Sequence, residues 1–151
     1  MKNKVNEVKI MKTTDKLLKK LMELEGLRLE AYEDAAGVVT IGYGHTQDVE
    51  MGDKISPWWA KELLVCDIEK VEQQVKALGV AKTEAQLDAL VSFAFNLGIN
   101  RLKNSTLLRF IKEQRNMRQI KQEWMRWVYA NGQKLKGLER RRAWEAKRFF
   151  E

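Results

Sequence analysis

The chain is poor in the residues that would announce a cofactor or a covalent staple. Its 151 residues include one cysteine, Cys66, one histidine, His45, and one proline, Pro57. A single cysteine excludes an internal disulfide, and with only one histidine beside it there is no Cys/His set at metal-ligand spacing. Cys66 falls in AKELLVCDIEK, on an amphipathic helical pattern, where a buried, inert thiol is expected. No run without charge exceeds roughly a dozen residues, well short of the ~20 apolar residues of a membrane span. The opening MKNKVNEVKIMKTTDKLLKK is basic but lacks the apolar segment of a secretory signal. These absences point to synthesis in a cytoplasm, no insertion into a membrane, and release by some other agent. HExxH, Cys-x-x-Cys and nucleophile-elbow patterns are missing too. Gly42-Tyr43-Gly44 is not a phosphate loop, because neither a third glycine nor Gly-Lys-Ser/Thr follows it. The expectation is an activity with no metal and no cofactor.

Positive charge, by contrast, is in excess. A formal charge of +7 and a pI near 9.5 imply an anionic partner: nucleic acid, a membrane surface or an acidic polymer such as a cell wall. Much of it gathers in KLKGLERRRAWEAKR. A solvated helix face is the ordinary meaning of such a cluster, and a nucleic-acid site the sharper one. Charge alone does not choose between them.

The 44% hydrophobic content and the length suit one domain, with two lobes sharing a long connecting helix. Residues 1–12 read as a loose basic leader. From Thr14 the pattern is helical, with Leu17, Leu18, Leu21, Met22 and Leu24 at three- and four-residue spacing, and Gly26 stands where a helix stop belongs. That period is lost between 28 and 45. Val39, Ile41 and Tyr43 alternate with Val38, Thr40 and Gly42, and DAAG ahead of them reads as a turn, so a β-hairpin or three-stranded sheet is expected between about 28 and 50.

The remainder is helical. Ser56-Pro57 opens a helix running to Gly79, and Thr83-Glu84-Ala85-Gln86 has the form of a capping box ahead of the apolar LDALVSFAFNLG, a central core helix. Ser105 caps a short helix to about 114. Another from Asn116 carries Ile120, Trp124, Trp127 and Val128 as a packing stripe. Asn131-Gly132 makes a turn, and a last helix runs from Leu138. The fold class is α+β, mostly α-helical.

Chemistry concentrates in EGLRLEAYEDAAGVVTIGYGH, residues 25–45. Glu25 follows Leu18 and Met22 on the apolar face of the first helix and sits in its last turn, at the negative end of the macrodipole. Desolvation and that dipole both penalise its ionised form, a condition that suits a general acid. Asp34 lies in the turn EDAAG, hydrated and ionised. Two carboxyls in opposed environments form the pair that breaks a glycosidic bond. The Thr40 hydroxyl, on the following strand, is positioned to hold the attacking water. Taken singly, each residue also has a plain structural meaning: Glu25 as a helix end, Asp34 as a turn former, Thr40 as a β-branched strand residue and His45 as a hydrogen-bonding side chain.

The run Glu25-Gly26-Leu27-Arg28-Leu29, then Ala31-Tyr32, Asp34, Gly37 and Thr40-Ile41-Gly42-Tyr43-Gly44-His45, resembles the phage-type lysozymes of glycoside hydrolase family 24, the endolysins that cut host peptidoglycan. The similarity continues through Ala60-Lys61-Glu62-Leu63-Leu64 with Asp67, through Gln86 to Gly98, through Ser105-Thr106-Leu107-Leu108, and to Gly137-Leu138 with Arg140-Arg141-Arg142. It covers roughly residues 13–150 and is nearest to endolysins of lambda-like phages. The resemblance implies a two-lobed lysozyme fold, with a small β-containing lobe at about 25–75 and a larger helical lobe from about 80 that also takes in the first helix; the basic leader at 1–12 has no counterpart in it. It implies Glu25 as general acid, with Asp34 and Thr40 serving the water on the opposite sugar face. Because the family inverts, the carboxyls should stand ~6.5–9.5 Å apart. His45 corresponds to a structural histidine near the site, and Thr46, Phe95, Asn96, Ser105 and Thr106 to substrate-binding positions. A cation from the Arg140 to Arg142 cluster beside Glu25 would temper the penalty on its ionised form, and the sequence does not say which of them, if any, stands there.

The implied partner is the glycan strand of peptidoglycan, with no nucleic acid, a monomeric enzyme, release by a holin, and action in the periplasm. The alternatives are a non-catalytic basic module binding cell wall or nucleic acid, and the same chemistry in a prophage-derived antibacterial effector.

Overall fold

Side-chain caps set the helical frame of the computed structural model, which describes residues 10–151. Ser56, Thr83, Ser105 and Asn116 each accept a backbone N–H from three residues on, satisfying a donor that the helix start leaves orphaned. The helices behind them are α2 (Pro57–Lys76), α3 (Glu84–Leu97), α5 (Thr106–Lys112) and α6 (Met117–Trp124). The first helix, α1 (Asp15–Glu25), stops at Gly26, whose φ of +68° favours a residue without a side chain. A last helix, α7 (Lys136–Phe149), closes the chain. The sequence pattern did not anticipate α4 (Ile99–Lys103), a single turn and a half between Gly98 and Ser105.

Two small antiparallel hairpins complete the fold. Strand β1 (Arg28–Glu33) pairs with β2 (Val39–Gly42), with Tyr32 opposite Thr40 and Glu33 opposite Val39. A register irregularity between Arg28 and Tyr32 bends β1. Residues 53–55 run along its other edge, where Ala31 N–H donates to Asp53 O and Ile55 N–H to Leu29 O. This third edge lies slightly beyond the expected limit near residue 50. Asn131-Gly132 turns β3 (Tyr129–Ala130) onto β4 (Gln133–Lys134).

The core centres on α3, buried from Leu87 to Ala94 and packed against α7 and α2. Such all-round burial is what an almost wholly apolar helix requires. Ile120, Trp124 and Val128 are buried as their stripe predicts. Trp127 is half-buried, meeting Phe93 edge-on at 5.4 Å. The expectation for Cys66 fails: the thiol is exposed, because it lies off the buried stripe of α2 formed by Ala60, Leu64, Ile68, Glu72 and Val75. Residues 1–9 of the expected leader lie outside the described residues. Met11 packs against the core, and the backbone N–H groups of Thr13 and Thr14 donate to Glu72 and Asp88, so the chain is already anchored ahead of α1.

Candidate active site

Glu25 is the last residue of α1, and the chain leaves it through Gly26 directly into the β1–β2 hairpin. One carboxylate oxygen, Oε1, accepts from Arg141 Nη1 at 2.9 Å. The other, Oε2, faces Gly44, and a Cβ at Gly44 would stand 3.3 Å from it. Gly44 also has φ +80°, so conformation and close approach both call for glycine there. The surroundings expected of Glu25 were apolar. The structure instead places a guanidinium against it, with the Glu25 side chain 24% exposed and that of Arg141 6%. Of the three clustered arginines, Arg141 is therefore the one that reaches Glu25. Nothing in the local sequence signals the pairing, because 116 residues separate the two.

Asp34 sits where the hairpin turns. Its Oδ1 accepts the backbone N–H groups of Ala36 and Val38, both at 2.9 Å, while its own N–H donates to Val38 O. Two amides on one oxygen fix the carboxylate plane. Oδ2 accepts no hydrogen bond among the described residues and faces outward from an exposed turn. Thr40, 3% exposed, donates its hydroxyl proton to Val38 O at 2.9 Å. That leaves the lone pairs of its oxygen free to receive a proton donor. Val38 thus links the two side chains, since its N–H binds Asp34 and its carbonyl binds Thr40.

Behind Glu25 lies a buried charged array. Glu145 is fully buried and accepts from Ser92 Oγ at 2.5 Å and Trp124 Nε1 at 3.0 Å. Arg141 Nε and Arg142 Nη2 reach it at 3.4 and 3.3 Å. Arg142 Nε also stands 2.9 Å from Glu145 Oε1 but is not aligned for a hydrogen bond, so that contact is an ion pair only. Arg142 Nη1 has no partner among the described residues, and its guanidinium lies 5.1 Å from the Phe93 ring centre. Burial pushes the Glu145 carboxyl above its ordinary range, against the pull of both arginines and the two neutral donors. Burial likewise pushes Arg142 down to about 10, with Glu145 opposing and Arg141 adding to the shift.

The remaining expected residues divide. His45 Nδ1 pairs with Asp67 Oδ2 of α2 at 2.7 Å, and its backbone bridges Ile41, so it ties the hairpin's exit to α2. Thr46 is exposed beside it. Phe95 packs partly on the core, while exposed Asn96 accepts from Arg142 Nη2 at 2.7 Å. The Ser105 hydroxyl is engaged in capping: it donates to Leu102 O at 2.7 Å and accepts Leu108 N–H at 3.0 Å. Ser105 and Thr106 line a groove of about 320 Å³ whose opposite wall is Glu123, Arg126 and Trp127. Trp127 was read as packing alone, yet one face borders this groove. A larger groove, about 740 Å³, runs between residues 10–18 and α2 past Cys66 and contains none of the residues picked out for chemistry. No cluster of His, Cys, Asp and Glu among the described residues is arranged to hold a metal ion.

Comparison with known proteins places the chain in a family. The Phage lysozyme family model matches residues 22–145, a span that holds Glu25, Asp34, Thr40, Arg141 and Glu145. The endolysin of Acyrthosiphon pisum secondary endosymbiont phage 1 is 37% identical over 146 residues, covering 93% of this chain and 99% of that protein. The endolysin of Bacillus phage B103 is 38% identical over 134 residues, but the chain spans about half of it, 51%. Among solved structures, the muramidase domain of SpmX from Asticaccaulis excentricus superposes with a TM-score of 0.85 at 34% identity, over 93% of this chain and 99% of that one. An endolysin from Escherichia coli O157:H7 phage FAHEc1 gives 0.81 at 35%, over 94% and 95%. With its mostly helical α+β architecture and a family model spanning most of its length, the chain belongs to the phage lysozyme family.

Proposed function

We propose that the protein is an endolysin-type muramidase, hydrolysing the β-1,4 bond between N-acetylmuramic acid and N-acetylglucosamine in peptidoglycan with inversion at the anomeric carbon. The observation that carries the reading is the division of labour within one hairpin. Glu25 enters it with one oxygen bound by Arg141, and Asp34 turns it with one oxygen fixed and one open. Glu25 gives its proton from Oε2 to the leaving glycosidic oxygen as the C–O bond breaks. Water attacks the opposite face of the sugar, its oxygen bonding to the anomeric carbon and its proton passing to Asp34 Oδ2. Thr40 Oγ, whose own proton is committed to Val38 O, accepts a hydrogen bond from the water's other O–H, which stays on the product, and so aims it. Once Glu25 has lost its proton, the carboxylate that remains is already paired with Arg141.

The positive charge of the chain draws it to the polyanionic envelope. Thr46, Phe95, Asn96, Ser105 and Thr106 are the sugar contacts in this reading, and the enzyme works as a monomer in the periplasm after a separate holin opens the way. No helix of the described residues is long and apolar enough to cross a membrane.

Glu25→Gln tests the assignment. The variant should fold and lose roughly 10²–10⁴ in rate, the usual contribution of a positioned acid. Wild-type clearing by it would overturn the reading. Mass spectrometry of digested sacculi should show reducing-end muramic acid; 1,6-anhydro ends would mean a transglycosylase instead.

A further inference from the structure

The array around Glu145 is a poor investment in stability. A carboxylate and two guanidiniums are withdrawn from water, and Arg142 keeps one nitrogen without any partner among the described residues. Replacing such buried groups by well-packed apolar side chains is often neutral or stabilising, so stability does not explain their presence. Geometry does. Arg141 is gripped at three points: Nε by Glu145, Nη2 by the Ser92 carbonyl at 3.0 Å, and Nη1 by Glu25. Only the last partner gains and loses a proton in the proposed reaction. Glu145, one turn further along α7, remains in place throughout and is itself fixed by Ser92 of α3 and Trp124 of α6.

We propose that Glu145 is the positioning residue of this enzyme: it holds Arg141 in register with Glu25 and partly cancels the guanidinium's field there. The inference rests on the reading of Glu25 as the acid. With Glu145 present, Arg141 has a carboxylate on either side, so it does not depend on an ionised Glu25 for its counter-charge. Without it, Arg141 keeps Glu25 as its one carboxylate partner among the described residues, and Arg142 keeps none. Arg141 then either shifts toward Glu25 or loses its fixed orientation, and both displace the acid from the leaving oxygen. The same carboxylate grips Arg142, which reaches the exposed Asn96, so one buried group braces two points of the site.

A double-mutant cycle separates positioning from mere support. Glu145→Gln keeps the shape and an acceptor oxygen. It should fold, with its near-ultraviolet tryptophan signals retained, and its kcat on soluble glycan strands should fall roughly tenfold to a hundredfold, as for other small misplacements of a reacting group. In an Arg141→Gln background the same change should alter kcat by less than about twofold, because its route to Glu25 is already cut. Losses that multiply in the double variant, or an E145Q enzyme within about twofold of wild type, would overturn the proposal. Should E145Q fail to fold, Ser92→Ala removes one donor to Glu145 without changing charge, and it must show the same non-additivity with Arg141→Gln. Glu25→Gln measured alongside keeps the two ideas apart. Full activity there sinks the assignment of the acid, whereas loss there with none in E145Q sinks only the positioning role.

Discussion

Gly44→Ala offers a clean probe of how tightly Glu25 is held, because a matched control exists in the same chain. Gly44 and Gly79 have φ +80° and +68°, so alanine at either meets the left-handed penalty of roughly 1–2 kcal/mol, part of it offset by a less flexible unfolded chain. A net loss of about 1 kcal/mol at each should lower Tm by roughly 2–4 °C in a domain of this size. Their neighbours differ. Nothing lies within 4 Å of a Cβ at Gly79, whereas a Cβ at Gly44 meets Glu25 Oε2 at 3.3 Å and its Cδ at 3.8 Å. That contact is tight enough to push the carboxylate by a few tenths of an ångström, and Arg141 bars a free swing away. Misplacing an acid on that scale costs roughly 10–100-fold in rate. Clearing of permeabilised Gram-negative cells at 25 °C, with melting curves alongside, should show similar Tm losses but a rate loss confined to Gly44→Ala. Equal clearing by the two variants would refute the claim that Glu25 is held against the Gly44 backbone.

Asp34→Asn retains an oxygen for the Ala36 and Val38 amides, so its melting point should stay close to wild type while hydrolysis falls roughly 10²-fold or more; a large Tm loss would mean the turn needs the charge itself. Arg148→Met strips two hydrogen bonds from the buried Asp88, which keeps only Thr14, and should destabilise the fold by about 3 kcal/mol in thermal unfolding. Burial already raises the Asp88 carboxyl above its ordinary range, so the folded state binds its proton more readily than the unfolded one. Stability from this group therefore declines as pH rises through that window, and the variant's deficit should shrink on acidification. A deficit that grows toward low pH would contradict this. Wall clearing should slow between about 0.1 and 1 M salt, as the Debye length drops from ~10 to ~3 Å, while cleavage of short uncharged oligosaccharides should hold steady.

The sequence disclosed whatever is settled locally. Glu25, Asp34 and Thr40 could be picked out as candidates because they lie close together along the chain, at the end of α1 and in the hairpin that follows, within a motif that resembles a known family. The capping residues Ser56, Thr83 and Ser105 were legible because a cap is a contact across three residues, while Asn116 was marked only as the start of a helix. What stayed hidden is long-range. The choice of Arg141 over Arg140 and Arg142 depends on the rotation of α7 against α3, and the burial of Glu145 depends on Ser92 and Trp124 from two other helices. A charged run such as ERRRAWEAKR reads as solvated surface until packing shows Arg141, Arg142 and Glu145 pointing inward. Cys66 failed for the converse reason: amphipathic spacing places a residue on a helix face but does not say which face the rest of the molecule covers.

Helix α7 touches the beginning of the fold at two points, through Arg141 to Glu25 and through Arg148 to Thr14. A ribosome therefore makes Glu25 and the hairpin behind it long before the guanidinium that grips Glu25. A polypeptide cut or still growing short of α7 carries the motif without the clamp that shapes it.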